Sequence, residues 1–291
     1  MEFSYIFFVL LGIAIVLAWT GIRPYKKLGC YVFFTALVLG ISIHHINLIG
    51  IANIGCLAIA MYLLRFSSIP FIYKLLLNLA VCLFFLGFSM HLLPGFHNWK
   101  IMDATQLSKN AIPYTMYLNV EKPVYIFLFL YFYKRTAITH YNWTRILKWT
   151  AISLMVCITL LLVDNYIYRL VAWDPKIPSS SITTIWIIRM LLDTTLGEEI
   201  FFRGYLQKNF THFFRFSKFA PWISCLLVSI LFGTLHLPAG TPMATMATLA
   251  SIGYGTAYAK TNTIEAATLT HFGVNILHFL LFSYPMLAAN L

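Results

Sequence analysis

Charge is scarce in this chain. Only 10% of its 291 residues are Asp, Glu, Lys or Arg, and only 9 of those are acidic. A soluble domain carries about 25% charged residues, so a globule this poor in charge cannot cover itself in water. A soluble enzyme, a nucleic-acid-binding domain and a disordered chain are thereby excluded. Paired cysteines are missing as well: Cys30, Cys56, Cys82, Cys157 and Cys225 stand singly, without a Cys-x-x-Cys pair. Neither a disulfide framework nor a zinc ribbon is encoded. There is no internal repeat, heptad series or low-complexity tract. No basic region precedes the first apolar run and no small-residue cleavage site follows it, so that run reads as a retained span rather than a cleaved signal peptide.

What is present is apolar surface. Sixty per cent of the residues are hydrophobic and the mean hydropathy is +0.80. A helix needs about 20 apolar residues to cross a bilayer, and the candidate spans are residues 4–22, 29–45, 47–64, 72–92, 123–133, 148–166, 182–206, 219–237, 243–260 and 264–286. The fifth is short enough to be re-entrant or interfacial. The expected fold is therefore all-α, a polytopic transmembrane bundle of eight to ten spans. The polar interval from His91 to Lys122 reads as an external loop.

The net charge of +11 has its origin in topology rather than in nucleic acid. With ten spans and an external N-terminus, the inner ends and loops hold Arg23, Lys26, Lys27, Arg65, Lys74, Lys134, Arg135, Arg145, Lys148, Arg203, Lys208, Arg215, Lys218 and Lys260. Lys100, Lys109, Lys122, Arg169 and Lys176 fall outside, and Arg189 lies within a span. This is the excess of cytoplasmic Lys and Arg that sets orientation in a membrane.

An ionisable side chain at bilayer depth costs at least about 2.5 kcal/mol, so each one points to function. They gather in the last third of the chain. Arg189 and Asp193, and again Glu199 and Arg203, are four residues apart and can pair along one helix face. Glu198 has no same-helix cation at that spacing. An unpaired carboxylate in low dielectric is pushed toward the neutral range where it can act as a general base. His236 lies on the following span; His271 and Asn275 share a face of the last one, with His278 further along it. A carboxylate, two imidazoles and an amide from three helices suggest a sealed polar cavity in which water is activated and an oxyanion is bound. The same groups would also serve as polar contacts between helices of a non-proteolytic scaffold or immunity protein, or as an ion path in a transporter.

At these residues the sequence resembles a known family. Glu198-Glu199-Ile-Phe-Phe-Arg203 matches E-E-x-x-x-R, Phe232-x-x-x-His236 matches F-x-x-x-H, and His271-x-x-x-Asn275 matches H-x-x-x-N. The order and separation are those of the CPBP family of intramembrane proteases, which includes CAAX-processing endopeptidases and bacterial bacteriocin-immunity proteins. The resemblance spans roughly residues 145–290, with only a loose Asn119-x-Glu121-Lys122-Pro123 element before it. It implies a catalytic core over residues 146–291 and accessory helices over 1–145. It further implies that Glu198 is the catalytic carboxylate, that His236 helps activate water, that His271 and Asn275 stabilise the oxyanion, and that Arg203 bonds Glu199 to hold the helix in shape. The implied enzyme is a glutamate-type peptidase without a cofactor. Zinc held by Glu198, His236 and His271 is the alternative, although no His-x-x-x-His pair supplies the usual helical clamp. The expected partners are a peptide or protein substrate reached from the membrane and the lipid bilayer, with no nucleic acid; substrate identity and oligomeric state are left open. The expected location is a bacterial inner membrane. One misfit accompanies this reading. At 1.5 Å per residue the span boundaries put Glu198 about 18 Å, His236 about 28 Å and His271 about 10 Å from the inner ends of their helices.

Overall fold

The computed structural model describes residues 2–66, 68–133 and 136–288. Lys134 and Arg135, assigned above to an inner loop, lie outside them. The chain is an all-α membrane bundle, with one small two-stranded sheet among the described residues. Each expected span coincides with a helical stretch. The order is α1 (Glu2–Trp19), α2 (Arg23–Ser42), α3 (Leu48–Leu63), α4 (Phe71–Ser89), β1 (Trp99–Thr105), β2 (Tyr114–Leu118), α5 (Glu121–Phe132) and α6 (Trp143–Tyr168). A long broken helix follows: α7 (Ser180–Arg189), a π-helical stretch Met190–Thr195, α8 (Leu196–Glu199), a second π-helical stretch Ile200–Gln207, and α9 (Lys208–Phe213). The chain then forms α10 (Ala220–Thr234), α11 (Thr241–Thr261) and α12 (Ile264–Leu281). Of these, α1, α4, α6 and α12 are long and apolar enough to cross a bilayer by length and composition.

The helix boundaries follow from local chemistry. Asn47 caps α3 by accepting from the amides of Ile49 and Gly50, and Asn142 caps α6 by accepting from Arg145, which supplies partners for otherwise orphaned N–H groups. Pro24 and Pro242 sit in the first turns of α2 and α11, where the missing N–H costs nothing. α11 stops at Asn262, which takes a left-handed conformation with φ 57°, a conformation that asparagine tolerates.

The chain divides into two compact units, residues 1–101 with 117–141, and residues 102–116 with 142–291. In the first, α5 is the axis. Its residues Val124 to Leu130 are all buried, α1, α3 and α4 pack on it, and the Phe33 ring of α2 stacks on Phe127 at 4.0 Å. The shortness of the fifth span thus reflects a helix wrapped by its neighbours. The polar interval before it folds into β1 and β2 rather than remaining a loop.

In the second unit α11 packs against α6, α10 and α12. Small residues set the approach, as between membrane helices generally. A methyl group at Gly253 would lie 2.0 Å from Cys157 Sγ of α6, and one at Gly233 would lie 1.8 Å from Thr248 Oγ1. Three boundaries differ from expectation. α10 ends at Thr234, so His236 lies in the turn beyond it; α12 ends at Leu281; and the 182–206 span is part of a longer helix with two π-helical stretches. Arg203, expected at an inner helix end, is fully buried, where it neutralises a carboxylate instead of marking a loop.

Candidate active site

The broken helix delivers two carboxylates to different surroundings. Glu199 is 0% exposed, with Arg203 Nε at 3.1 Å from one oxygen and Nη1 at 3.2 Å from the other. Arg203 is itself fully buried. It donates from Nη2 to the Ser251 carbonyl at 2.8 Å and to its hydroxyl at 2.6 Å, and its guanidinium lies 5.4 Å from the Phe232 ring and 5.5 Å from the Tyr254 ring. Glu198, one residue earlier, keeps 24% of its side chain exposed and lines a cavity of about 600 Å3. π-Helical turns are frequent at functional sites because the wide turn re-aims the side chains around it.

His271 completes the arrangement. Its Nδ1 lies 2.9 Å from Glu199 Oε1 and its Nε2 lies 4.0 Å from Glu198 Oε2. A carboxylate only accepts, so Nδ1 carries the proton and Nε2 is the atom left for the cavity. The Tyr254 ring lies parallel to the imidazole at 4.3 Å with an 11° interplanar angle. His236 is oriented in the same manner. Its Nδ1 donates to the Phe232 carbonyl at 2.9 Å, which again frees Nε2. The Phe232 ring touches both imidazoles, with centroids 4.8 Å from His236 and 6.0 Å from His271. The depth misfit in the sequence therefore closes: His236, beyond the end of α10, and His271 are joined by one aromatic ring.

Glu198, His236, His271, Asn275 and His278 all line this same cavity. Asn275 donates from Nδ2 to the Met190 sulfur at 3.2 Å, a weak acceptor that a stronger one can displace. His278 is turned toward the chain end and donates from Nε2 to the Ser283 carbonyl at 3.3 Å. Thr194, one turn before Glu198, also lines the cavity, and its buried hydroxyl has no hydrogen-bond partner in the described structure. The i,i+4 pair Arg189–Asp193 is present at 3.7 Å. As zinc ligands, Glu198, His236 and His271 share a cavity without converging on a point: among the described residues no three His, Cys, Asp or Glu side chains group closely enough to hold an ion.

Sequence reasoning missed the contacts that cross helices. The bond from Glu199 to His271, the Ser251 anchor on Arg203 and the stack of Tyr254 on His271 all join residues of different helices, and helical spacing speaks only for residues on one helix. Next to Trp173 and Phe282 of the cavity wall, Lys176 donates to the Phe282 carbonyl and to Asp174 Oδ2 at 3.4 Å. Hydrogen bonding to Ser108 and the adjacent Lys176 hold the Asp174 carboxyl below the usual range, while burial lowers Lys176.

Residues 180–277 match the family model described as type II CAAX prenyl endopeptidase, Rce1-like. The matched segment begins with α7 and ends within α12, so it contains Glu198, Glu199, Arg203, His236, His271 and Asn275. Neither the curated proteins nor the solved structures yield a match. On the three motifs and on this match, residues 180–277 are an Rce1-like domain of the CPBP, or CAAX-processing, family of intramembrane endopeptidases.

Proposed function

We propose that this protein hydrolyses a peptide bond within the membrane, with a water activated by Glu198 and without a metal. The observation that carries the assignment is the unequal setting of the two glutamates. Glu199 is sealed between Arg203 and His271, whereas Glu198 faces the cavity. In this mechanism Glu198 takes a proton from water as the oxygen attacks the carbonyl carbon, and later returns it to the leaving amine. His236, its Nδ1 proton committed to the Phe232 carbonyl, accepts a hydrogen bond from the water at Nε2. Asn275 Nδ2 donates to the tetrahedral oxyanion, and His271, held at Nδ1 by Glu199, presents its Nε2 edge to the same charge and donates to it when that edge carries a proton. Removing one such donor typically costs about 10²–10³ in rate. Among the described residues the three would-be ligands do not converge, which favours water activation over zinc.

The test is cleavage of a quenched fluorescent peptide library by purified protein in nanodiscs. Glu198→Gln should lose at least roughly a hundredfold in rate, a general-base-sized effect. Undiminished cleavage by well-folded Glu198→Gln would remove Glu198 from the chemistry.

A further inference from the structure

The cavity has one closed end and one open end, and the two ends carry different charge. α11 runs the length of the second unit and gives the scale. Tyr254 is seven residues before Thr261, and His271 is seven residues after Ile264. At 1.5 Å per residue both lie about 10 Å from the end at which α11 finishes and α12 begins, which agrees with the stacking of their rings. Below that level the interior is filled. Arg203 and Gln207 are buried, Gln207 donates to the Gly255 carbonyl at 3.0 Å, and Cys225 Sγ points at the Ile252 carbonyl. Above it the cavity rises past Ala250 and Met246 to Met243, about 27 Å from Thr261 along α11. There it ends against Val171 and Trp173, after α6, and Phe282, after α12. Trp173 is 66% exposed. The mouth is at this end.

The closed end is the basic one. It gathers Arg145 and Lys148 at the start of α6, Lys208 on α9, Arg215 and Lys218 before α10, and Lys260 in the last turn of α11. Lys260 Nζ sits 5.0 Å from the rings of both Trp149 and Trp222, so these helix ends meet. Between Ile200 and Ile264 the sequence holds no Asp or Glu; the single carboxylate here is Glu265, which is buried. Exposed Phe213, Phe216 and Phe219 stand among these cations. The mouth end of the same unit has Lys109, Arg169 and Lys176 together with Asp103, Asp164 and Asp174. Lys176 is paired with Asp174 there.

An excess of Lys and Arg near span ends marks the cytoplasmic side. We infer that the basic, closed end faces the cytoplasm and that the cavity opens to the opposite side of the membrane, so that its substrate is a peptide segment presented on the non-cytoplasmic face. Apolar side chains dominate the walls between the mouth and Glu198, among them Leu161, Leu277 and Leu281. The segment that enters is correspondingly apolar around its scissile bond. This inference rests on the peptidase reading for the nature of the substrate, but its orientation does not.

Two single substitutions test it. Ile177 beside the mouth and Phe216 at the basic end are 84% and 83% exposed. Ile177→Cys and Phe216→Cys would be treated with a membrane-impermeant maleimide on intact cells, and labelling would be read site by site by mass spectrometry. Ile177→Cys should label in intact cells, and Phe216→Cys only after permeabilisation; the reverse pattern would overturn the inference. Trp173→Cys and Phe213→Cys repeat the comparison should either first variant fail to accumulate. In a second arm, an impermeant apolar reporter peptide is added to intact cells that express the wild type or Glu198→Gln. Cleavage at least tenfold faster with the wild type supports entry from outside, whereas cleavage that appears only after permeabilisation overturns it. Correct labelling without cleavage from either side would sink the peptidase reading and leave the orientation standing.

Discussion

A carboxylate locked between a guanidinium and an imidazole is expected to respond to mutation differently from one that faces a cavity. Removing the charge of Glu199 leaves Arg203 without its anion at 0% exposure, and breaking such a buried pair typically costs about 3–5 kcal/mol. Glu199→Gln should therefore lower the melting temperature or yield in detergent, and Arg203→Ala should resemble it, while Glu198→Gln melts near wild type. A stable but inactive Glu199→Gln beside an active Glu198→Gln would exchange the two roles. Because Glu199 also fixes His271, the residual Glu199→Gln protein should be slow as well as unstable. Tyr254 offers a finer test. One hydrogen bond at Nδ1 leaves the imidazole free to swing about that bond, and the parallel ring at 4.3 Å removes the swing. Tyr254→Phe should keep kcat within about threefold. Tyr254→Met, which fills the space without a flat ring, should lower kcat by up to about a hundredfold, the size of effect a misplaced group produces, with KM nearly unchanged. A purely structural role would instead lower the melting temperature of both variants and leave the kcat of the folded fraction intact. The motif residues were legible because intramembrane charges are expensive and few. Tyr254 and Ser251 were not, since a tyrosine or serine in an apolar helix carries no such signal until its neighbour is known.

Hydrophobic runs located the spans, since the burial of backbone groups in lipid requires helices. Their ends were less legible. The sequence 219–237 holds no Asp, Glu, Lys or Arg, yet α10 stops at Thr234, three residues before Leu237-Pro238 enters a tight turn; a residue before proline disfavours the helical conformation. The π-helical stretches at Met190–Thr195 and Ile200–Gln207 have no compositional mark at all. The small-residue face of α11 was not read either, and it makes a prediction. Gly253→Ala places a methyl 2.0 Å from Cys157 Sγ, so the buried thiol must leave its position or α6 and α11 must part. Overpacking of this kind costs about 1–3 kcal/mol. Gly253→Ala should melt lower than wild type, and adding Cys157→Ala should recover most of the loss. Thermal unfolding of the single and double variants decides this, since equal destabilisation in both would mean that the helices are not held at this contact.

At the scale of the molecule, the groups assigned to chemistry all belong to the unit containing residues 142–291, and the first unit has histidines of its own that are already committed. His45 donates from Nδ1 to the His97 carbonyl at 2.6 Å, accepts at Nε2 from the Ser4 hydroxyl at 3.0 Å, and stacks on Phe7. His91 lies 3.3 Å from Glu121, which is nearly fully buried at the start of α5. These are bonds that hold loops and helix ends, and they leave no imidazole nitrogen of His45 for a substrate. Replacing His91 by Ala strips Glu121 of a partner and should lower the melting temperature. Replacing His44, which takes a left-handed backbone conformation at φ 62°, or His45 should do so to a smaller or similar extent. In none of the three should kcat per folded molecule fall more than a few-fold, whereas His236→Ala and His271→Ala should each lose at least about a hundredfold, as the loss of a general base or an oxyanion donor does. Kinetics normalised to the folded fraction, taken from size-exclusion peaks, separate the two effects. A thousandfold loss in well-folded His44→Ala, His45→Ala or His91→Ala would move part of the reaction into the first unit, because a lost loop contact changes how much protein folds and not how fast each folded molecule turns over.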